Sequence, residues 1–470
     1  MSAAQAKRKP KPGRQARYAK ALGGRAARPG KPAKPAPPRK PAAPAALQPA
    51  ASPRRSPPQA ALGAAAIPMG LLMNVLRDVF LDRYSLTRKG WRPREARAMG
   101  HGASAEPDFG GRPGLEALVG EVMALHGAYT SHEGEFLGAQ NPIHHHAGGY
   151  QLYYLPRNLY RVLSVLERLP WKEPRPLGRV ESWLLGKRQF RVLDLGCGSG
   201  AFSLAILAWL VQSGADPRKL PPGEIVLVDQ SRPLLDLAEA NVRCFAEVAL
   251  PGWPLRLELR PEGAGRYLEQ AQTSARFTLA GAAMMLNELG LVGSRHRARA
   301  PQIVRRIGQQ AEPGGVLLFV EPGTRQGYLN LMPVRNQMEE FPILYPCPHH
   351  LACPMFAGTT RRWCHATVQL PPRFFFDEPL QSEGGLPLHM KELNLSALVM
   401  QAQAGGERGV PFAARTGSRV VSSVLPGRPP RADGQPVLLL CSPNGRLEER
   451  PLRETGPAGR GEWVGGTRFG

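Results

Sequence analysis

One stretch constrains the fold of this 470-residue chain more than any other: Arg191-Val-Leu-Asp-Leu-Gly-Cys-Gly-Ser-Gly200, followed by Ala201-Phe-Ser-Leu-Ala-Ile-Leu-Ala-Trp-Leu-Val211. An apolar run, a glycine-dense turn and a run of helix formers, in that order, predict a strand, a tight turn and a helix. Glycine adopts positive φ without a Cβ penalty and lets backbone approach a ligand closely, while the first amides of a helix offer donors to negative charge. Gly196, Gly198 and Gly200 are therefore a candidate cradle for an adenosyl cofactor. Asp194, just before the turn, is placed to accept hydrogen bonds from a ligand ammonium group and from loop amides, which favours S-adenosylmethionine.

The spacing is Gly-x-Gly-x-Gly, not the Gly-x-Gly-x-x-Gly of dinucleotide folds. A second apolar strand, Ile225-Val-Leu-Val228, ends in Asp229, where an acid meets the two ribose hydroxyls. Such an acid commonly lies about 20 residues on; here a long helix and the segment Gly214 to Gly223 lengthen the interval. These residues resemble motif I and the second acidic motif of class I methyltransferases.

Charge is unevenly spread. The chain carries +24 overall, and residues 1–66 contain 15 Lys or Arg and no Asp or Glu, so the remainder holds +9. The tail is Ala, Pro, Lys and Arg with few large apolar groups. It has too little to bury to offset the entropy of ordering, and is expected to be disordered. It reads either as an arm contacting nucleic acid, with affinity falling as salt rises, or as a solubilising tail. Six cysteines in a chain this long do not make a secreted disulfide framework, and no 18 consecutive apolar residues span a bilayer. An apolar signal-peptide core is not visible at the N-terminus. The expectation is a soluble protein with no membrane association, in a bacterial-type cytoplasm first and the mitochondrial matrix second, since the prolines of the Arg-rich start break an amphipathic transit helix.

Residues 67–185 read as a helical region. Apolar stripes at i, i+3, i+4 spacing run through Leu71, Leu72, Val75, Leu76, Val79 and Phe80, through Leu115, Leu118, Val119, Val122 and Met123, and from Pro156 through Leu159, Val162, Leu163, Leu166 and Leu169. Consecutive histidines at His144, His145 and His146 point in different directions in any regular element and do not predict a metal site. Tyr150, Tyr153, Tyr154, Arg157 and Tyr160 suit stacking on RNA bases or, more simply, half-buried helix packing. Residues 186–340 read as the cofactor-binding core. After Asp229 come a helix with Ser231 as N-cap and Pro233 in its first turn, a strand near Leu255 to Leu259, and a fourth strand starting at Phe277. Asn287 and Glu288, beyond that strand's carboxyl end, are the candidate acceptor-side catalytic residues, because ligands of open α/β sheets bind at that end. Gly293 to Arg299 reads as a basic exposed loop, and Gly314 to Gly323 as the fifth strand. Alternating strands and helices predict a doubly wound, mostly parallel α/β sheet.

Residues 341–470 carry a cysteine-rich insertion, the last core strands and a small β-rich part, with apolar runs at Leu395 to Met400 and Val437 to Cys441. Cys347, Cys353, Cys364 and Cys441 follow the pattern C-x5-C-x10-C with the last thiol 77 positions on, and Asn444-Gly445 predicts a tight hairpin that puts Cys441 at a strand end. Four thiolates from short loops can enclose a [4Fe–4S] cluster or a tetrahedral zinc. The wide intervals favour the cluster over zinc, which usually takes closely spaced pairs. Cys197 and Cys244 read as structural.

Together, VLDLGCGSG (192–200), MMLNELG (284–290), LLFVEPGT (317–324), CPHHLACP (347–354), WCH (363–365) and LLLCSPNGRLEER (438–450) resemble the methyltransferase-like family of the small ribosomal subunit, with bacterial and mitochondrial members. The likeness covers about residues 110 to 450. It implies a class I methyltransferase fold, an S-adenosylmethionine pocket at Asp194, Gly196, Gly198, Gly200 and Asp229, and a [4Fe–4S] cluster on Cys347, Cys353, Cys364 and Cys441. It also implies binding to the small subunit and its rRNA during assembly. Base N-methylation commonly uses Asn or Asp followed by Pro-Pro and an aromatic, whereas Asn287 is followed by Glu-Leu-Gly. Two readings stand: a methyltransferase acting on rRNA or a subunit component, and an assembly factor that binds cofactor and RNA without turnover.

Overall fold

The computed structural model describes residues 76, 112–131, 146–270, 276–286, 294–357, 363–369, 392–402, 418–421, 437–451 and 463–464. The basic tail 1–66, the stripe at 71–80 apart from Leu76, His144, His145, Asn287 and Glu288 lie outside the described residues.

The helical region begins with α1 (Arg112–Ser131), then α2 (Ala147–Gly149), a π-helical turn (Tyr150–Tyr154) and α3 (Leu155–Glu167), with Pro156 in the first turn of α3 as the sequence predicts. After α4 (Pro176–Leu184) comes the strand and helix series: β1 (Phe190–Leu195), α5 (Ala201–Gln212), β2 (Gly223–Val228), α6 (Arg232–Ala249), β3 (Leu255–Arg260), α7 (Ala264–Gln270), β4 (Phe277–Ala283), α8 (Ser294–Gln310) and β5 (Ala311–Pro322). Beyond it lie α9 (Arg325–Gln337), β6 (Ile343–Tyr345), α10 (Pro354–Ala357), β7 (Ala366–Gln369) and β8 (Glu392–Gln401). A separate antiparallel sheet is built from β9 (Ser418–Val420), β10 (Val437–Cys441), β11 (Leu447–Pro451) and β12 (Trp463–Val464).

The large sheet has the order β3-β2-β1-β4-β5-β8-β6, with β7 also paired to β8. Strands β3 through β5 are parallel, and β8 runs antiparallel to β5, β6 and β7. This is the doubly wound, mostly parallel sheet of the class I methyltransferase type that the sequence predicts. Chain order reverses between β1 and β4, and the crevice of such a sheet opens at that switch point, above the strand carboxyl ends.

Side-chain alternation along the strands sorts residues onto two faces. Val192, Ile225, Leu227, Leu279, Val316 and Leu318 pack against α3, α5 and α6. Leu193, Leu195, Val226, Val228, Ala280, Leu317 and Phe319 pack on the opposite side against α7, α8 and α9. Each such side chain contributes about 1.5–3 kcal/mol when fully buried. Helix α5 is buried at every position from Ala201 to Leu210, which explains a sequence with no polar face. Trp209 of α5 stacks on Trp171 at 5.1 Å and meets Trp183 edge-on at 5.7 Å, fixing the helical region against the sheet.

Two local expectations are corrected, and a third is found in a specific form. The basic segment from Gly293 is helical from Ser294 onward, because α8 tolerates Pro301 in its interior and continues the apolar stripe Ala300, Val304 and Ile307. Ser231 does stand at the N-cap of α6, yet among the described residues its buried hydroxyl makes no cap and has no partner. The hairpin at Asn444 is a three-residue loop: Ser442 N donates to Arg446 O, and Gly445 alone takes positive φ, at 76°. A Pro-Asn-Gly sequence suits that form better than a two-residue turn.

Candidate functional site

The glycine turn joins β1 to α5 at the switch point. Gly196, Gly198 and Gly200 all have positive φ, at 62°, 53° and 93°. A Cβ on Gly198 would approach the Tyr150 hydroxyl at 3.3 Å, and one on Gly200 would press on the Ala238 backbone at 3.3 Å, so a side chain at either position would add tight contacts to the strain of positive φ.

The two acids bracket this turn in different ways. Asp194 is fully buried, and its Oδ2 accepts the Ser203 hydroxyl at 2.7 Å and the Ser203 amide at 3.1 Å. Its Oδ1 is buried without a partner among the described residues. Burial raises the Asp194 carboxyl to about 7; the Ser203 hydrogen bonds oppose that rise and the Asp229 charge adds to it. The loop amide expected at Asp194 goes instead to Asp229, whose Oδ2 accepts Gly198 N at 2.8 Å and whose Oδ1 accepts Ser231 N at 2.7 Å. Asp229 is thus the residue that shapes the turn, and Asp194 the one that keeps a buried oxygen open.

Sequence reasoning missed the residues that support the turn from outside. Gln151 and Asn241 exchange two side-chain hydrogen bonds, at 2.9 and 3.1 Å, and Asn241 also donates to Ser199 O at 2.9 Å. Both side chains are buried. A signal was present: Asn241 interrupts the apolar stripe Leu234, Ala238, Val242 and Phe245 of α6, and a polar side chain on a core face demands a partner. Gln151 comes from the π-helical turn, a distortion that widens one helical turn and is frequent at functional sites. Tyr150 in the same turn is buried, stacks on Tyr154 at 5.6 Å and receives Asn158 Nδ2 at 3.4 Å. Arg157 is buried 3.8 Å above the Tyr153 ring. These aromatics are packed into the helical region, which favours the plainer of their two sequence readings.

At the acceptor side, Met284 takes φ 64° and donates to Val320 O at 2.7 Å, and Leu286 N donates to the buried Glu321 carboxylate at 2.9 Å. These bonds tie the end of β4 to β5 immediately before Asn287 and Glu288.

The four distal cysteines approach from separate elements. Cys347 follows β6, Cys353 precedes α10, Cys364 precedes β7 and Cys441 ends β10. Cys441 Sγ lies 3.3 Å from His349 Nε2, Cys353 Sγ lies 3.5 Å from the Tyr328 hydroxyl, and Arg419 Nη1 donates to Cys364 Sγ at 2.9 Å. Burial raises the Cys347 thiol, raises Cys364 to about 11 and raises Cys441 to about 12. Neighbouring cysteines add to each rise, and nearby guanidinium groups oppose it. The four sulfurs therefore share one electrostatic environment. Among the described residues no three His, Cys, Asp or Glu side chains converge closely enough to hold a metal ion. Cys197 is buried within the glycine turn and Cys244 is partly buried on α6, apart from this group.

No curated protein matches the chain. Among solved structures, similarity extends to a protein from Listeria monocytogenes ascribed to the class I S-adenosylmethionine-dependent methyltransferases, at 12% identity, covering 72% of this chain and 90% of that one with a TM-score of 0.32. It extends also to an S-adenosylmethionine-dependent methyltransferase of Methanosarcina mazei, at 15% identity, 48% and 97% coverage and a TM-score of 0.28. A third is an arsenic(III) S-adenosylmethionine methyltransferase of Chlamydomonas reinhardtii, at 14% identity, 56% and 77% coverage and a TM-score of 0.28. Among the described residues no helix is long and apolar enough to cross a membrane. Residues 259–455, the part holding β4 through β11 and all four clustered cysteines, match the model of the Rsm22 family, described as mitochondrial small ribosomal subunit Rsm22.

Proposed function

We propose that this chain is an S-adenosylmethionine-dependent methyltransferase-like protein of the small ribosomal subunit, acting on rRNA or a subunit component during assembly. The observation that carries the cofactor reading is the acid pair. Asp194 presents a buried oxygen with no partner among the described residues, beside a turn of three positive-φ glycines, and Asp229 holds that turn through Gly198. An unpaired buried carboxylate oxygen is costly, and the ammonium of a bound cofactor would give it a donor. Asp229, just past the carboxyl end of β2, is the acid placed to meet the ribose hydroxyls. Methyl transfer needs alignment and water exclusion more than side-chain chemistry, and the bond from Leu286 N to Glu321 fixes the end of β4 at the strand carboxyl ends, immediately before Asn287 and Glu288 in the chain, which we keep as the acceptor-side candidates. The family match supports the subunit as partner and favours the mitochondrial matrix over the bacterial-type cytoplasm.

The distal thiols suit a soft metal centre, with Cys347, Cys353, Cys364 and Cys441 as ligands and [4Fe–4S] preferred over zinc. Support comes from the donor set and from the guanidinium and hydroxyl groups directed at the sulfurs. Such a centre would brace the small sheet against the large one.

Tritium transfer from labelled cofactor to small-subunit particles lacking the protein tests the activity: incorporation abolished by Asp194→Ala supports it. Tight cofactor binding with no incorporation would instead support an assembly factor without turnover, a reading favoured by the Glu-Leu-Gly that follows Asn287 in place of a base grip.

A further inference from the structure

Two guanidinium groups lie in the interior beside the thiols: Arg335 is 3% exposed and Arg419 is 2% exposed. Arginine is almost never fully buried unless paired, yet among the described residues neither has an Asp or Glu partner. Arg335 donates to His349 O at 2.8 Å and to Asn336 Oδ1 at 2.9 Å. Arg419 donates to Cys364 Sγ at 2.9 Å and to the Tyr345 hydroxyl at 3.4 Å, with its guanidinium carbon 5.2 Å from the Tyr345 ring centre. The Nε of each has no partner among the described residues. Hydroxyl, carbonyl and ring contacts solvate a guanidinium but do not neutralise it.

Neutral thiols would leave two buried cations uncompensated. Four thiolates around Zn2+ or around a [4Fe–4S]2+ core carry a net charge of −2, which equals the charge of the two arginines. The elements involved strengthen the match. Arg419 belongs to β9 of the small sheet, while Cys364 and Tyr345 belong to the segments around the large sheet, so the contact crosses between the two. On the other side, Arg335 of α9 grips the His349 backbone, and the His349 ring contacts Cys441.

We propose, resting on the metal reading above, that Arg335 and Arg419 are the built-in counter-charges of a dianionic tetrathiolate centre. Arg419 acts through a direct hydrogen bond to the Cys364 sulfur, and the pair sets how firmly the metal is held and, for an iron–sulfur core, its reduction potential. Both are positioning residues that act through the ligands.

The test compares full-length protein, purified anaerobically, with its Arg419→Met, Arg419→Lys and Arg335→Gln variants, each verified as folded by circular dichroism. Metal release to an excess of chelator is followed in all four. Arg419→Met should release metal about ten- to a hundredfold faster than wild type, the usual effect of losing a group that supports a ligand, Arg335→Gln should also be faster, and Arg419→Lys should fall between. If the metal is iron, losing the positive charge in Arg419→Met should shift the one-electron reduction equilibrium about tenfold toward the oxidised form, about 59 mV more negative. If Arg419→Met does not fold, Arg335→Gln and Arg419→Lys decide the matter. Folded variants with the wild-type release rate and, for iron, the wild-type potential would overturn the counter-charge role while leaving the metal reading intact. Wild-type protein isolated without metal would overturn both.

Discussion

Asp229 Oδ2 accepts the Gly198 amide at 2.8 Å, so the acid at the end of β2 fixes the shape of the turn that follows β1. Its other oxygen holds Ser231 N at the start of α6, and one carboxylate therefore ties two loops together. Replacing Asp229 by Ala leaves both amides without their acceptor and should cost about 1–3 kcal/mol. Thermal unfolding should register the loss, and calorimetric titration with S-adenosylmethionine should show weakened binding. An unchanged melting temperature would show that the turn holds its shape unaided.

Asp194 predicts a pH dependence. Its folded-state value of about 7 lies above the ordinary carboxylate value of 3.8 because burial disfavours the charge. The folded protein therefore binds a proton there that the unfolded chain releases, and this contribution to stability is present below about pH 4 and lost as pH rises toward and through 7. Asp194→Asn removes that contribution. Denaturation midpoints of the variant, measured from pH 4 to 8, should fall less with rising pH than those of wild type; parallel curves would contradict the raised value. A cationic cofactor favours the ionised form, so its affinity for wild type should rise as pH passes through about 7.

Gly200 combines a φ of 93° with close packing on Ala238. Gly200→Ala should destabilise the protein by about 1–2 kcal/mol, the penalty of placing a side chain in the left-handed region. Urea unfolding checks the value, and a loss below a few tenths of a kcal/mol would mean that α5 can shift to relieve the strain.

The Gln151–Asn241 pair should behave as a unit. Asn241→Ala leaves buried polar groups on Gln151 and on Ser199 O unsatisfied, at about 1–3 kcal/mol. Gln151→Ala together with Asn241→Ala should cost less than the two single losses added. A double-mutant cycle with no coupling would show that the π-helical turn does not support the glycine turn.

Serine at Cys347, Cys353, Cys364 or Cys441 should abolish bound metal and, for an iron–sulfur core, the absorption at about 400 nm. Serine at Cys244 should leave both intact. Elemental analysis of anaerobically purified variants separates the outcomes: equal metal in all of them would reject the four-thiol site.

The strand, turn and helix at 190–212 were legible because each part follows from local chemistry: apolar alternation, glycine and an uninterrupted run of helix formers. The parallel order of β1 to β5 was legible for the same reason. The exchange of roles between Asp194 and Asp229 was not. Which carboxylate takes the Gly198 amide depends on how β1 and β2 pair and on Ser203 reaching back from α5, neither of which is a property of the acids' own neighbours. Gln151 lies 90 positions from Asn241, and only tertiary packing joins them. Arg335 and Arg419 were invisible among the chain's 61 basic residues, because burial, not residue type, distinguishes them. Ser294 to Arg299 read as a loop because its charges hide the start of a helix whose apolar face begins only at Ala300.

The placement of β8 imposes an order on synthesis. It lies between β5 and β6 in the sheet, yet follows both in the chain. As the nascent polypeptide emerges, β5 must keep an open edge, and Ile343–Tyr345 must wait without its neighbour until residue 392 and beyond have been made. Cys347, Cys353 and Cys364 appear during that interval, and Cys441 arrives after it. The last thiol thus joins a frame closed only moments earlier, and a chain halted before β10 holds three of the four clustered sulfhydryls on an unfinished domain whose open strand edges and exposed apolar surface favour aggregation.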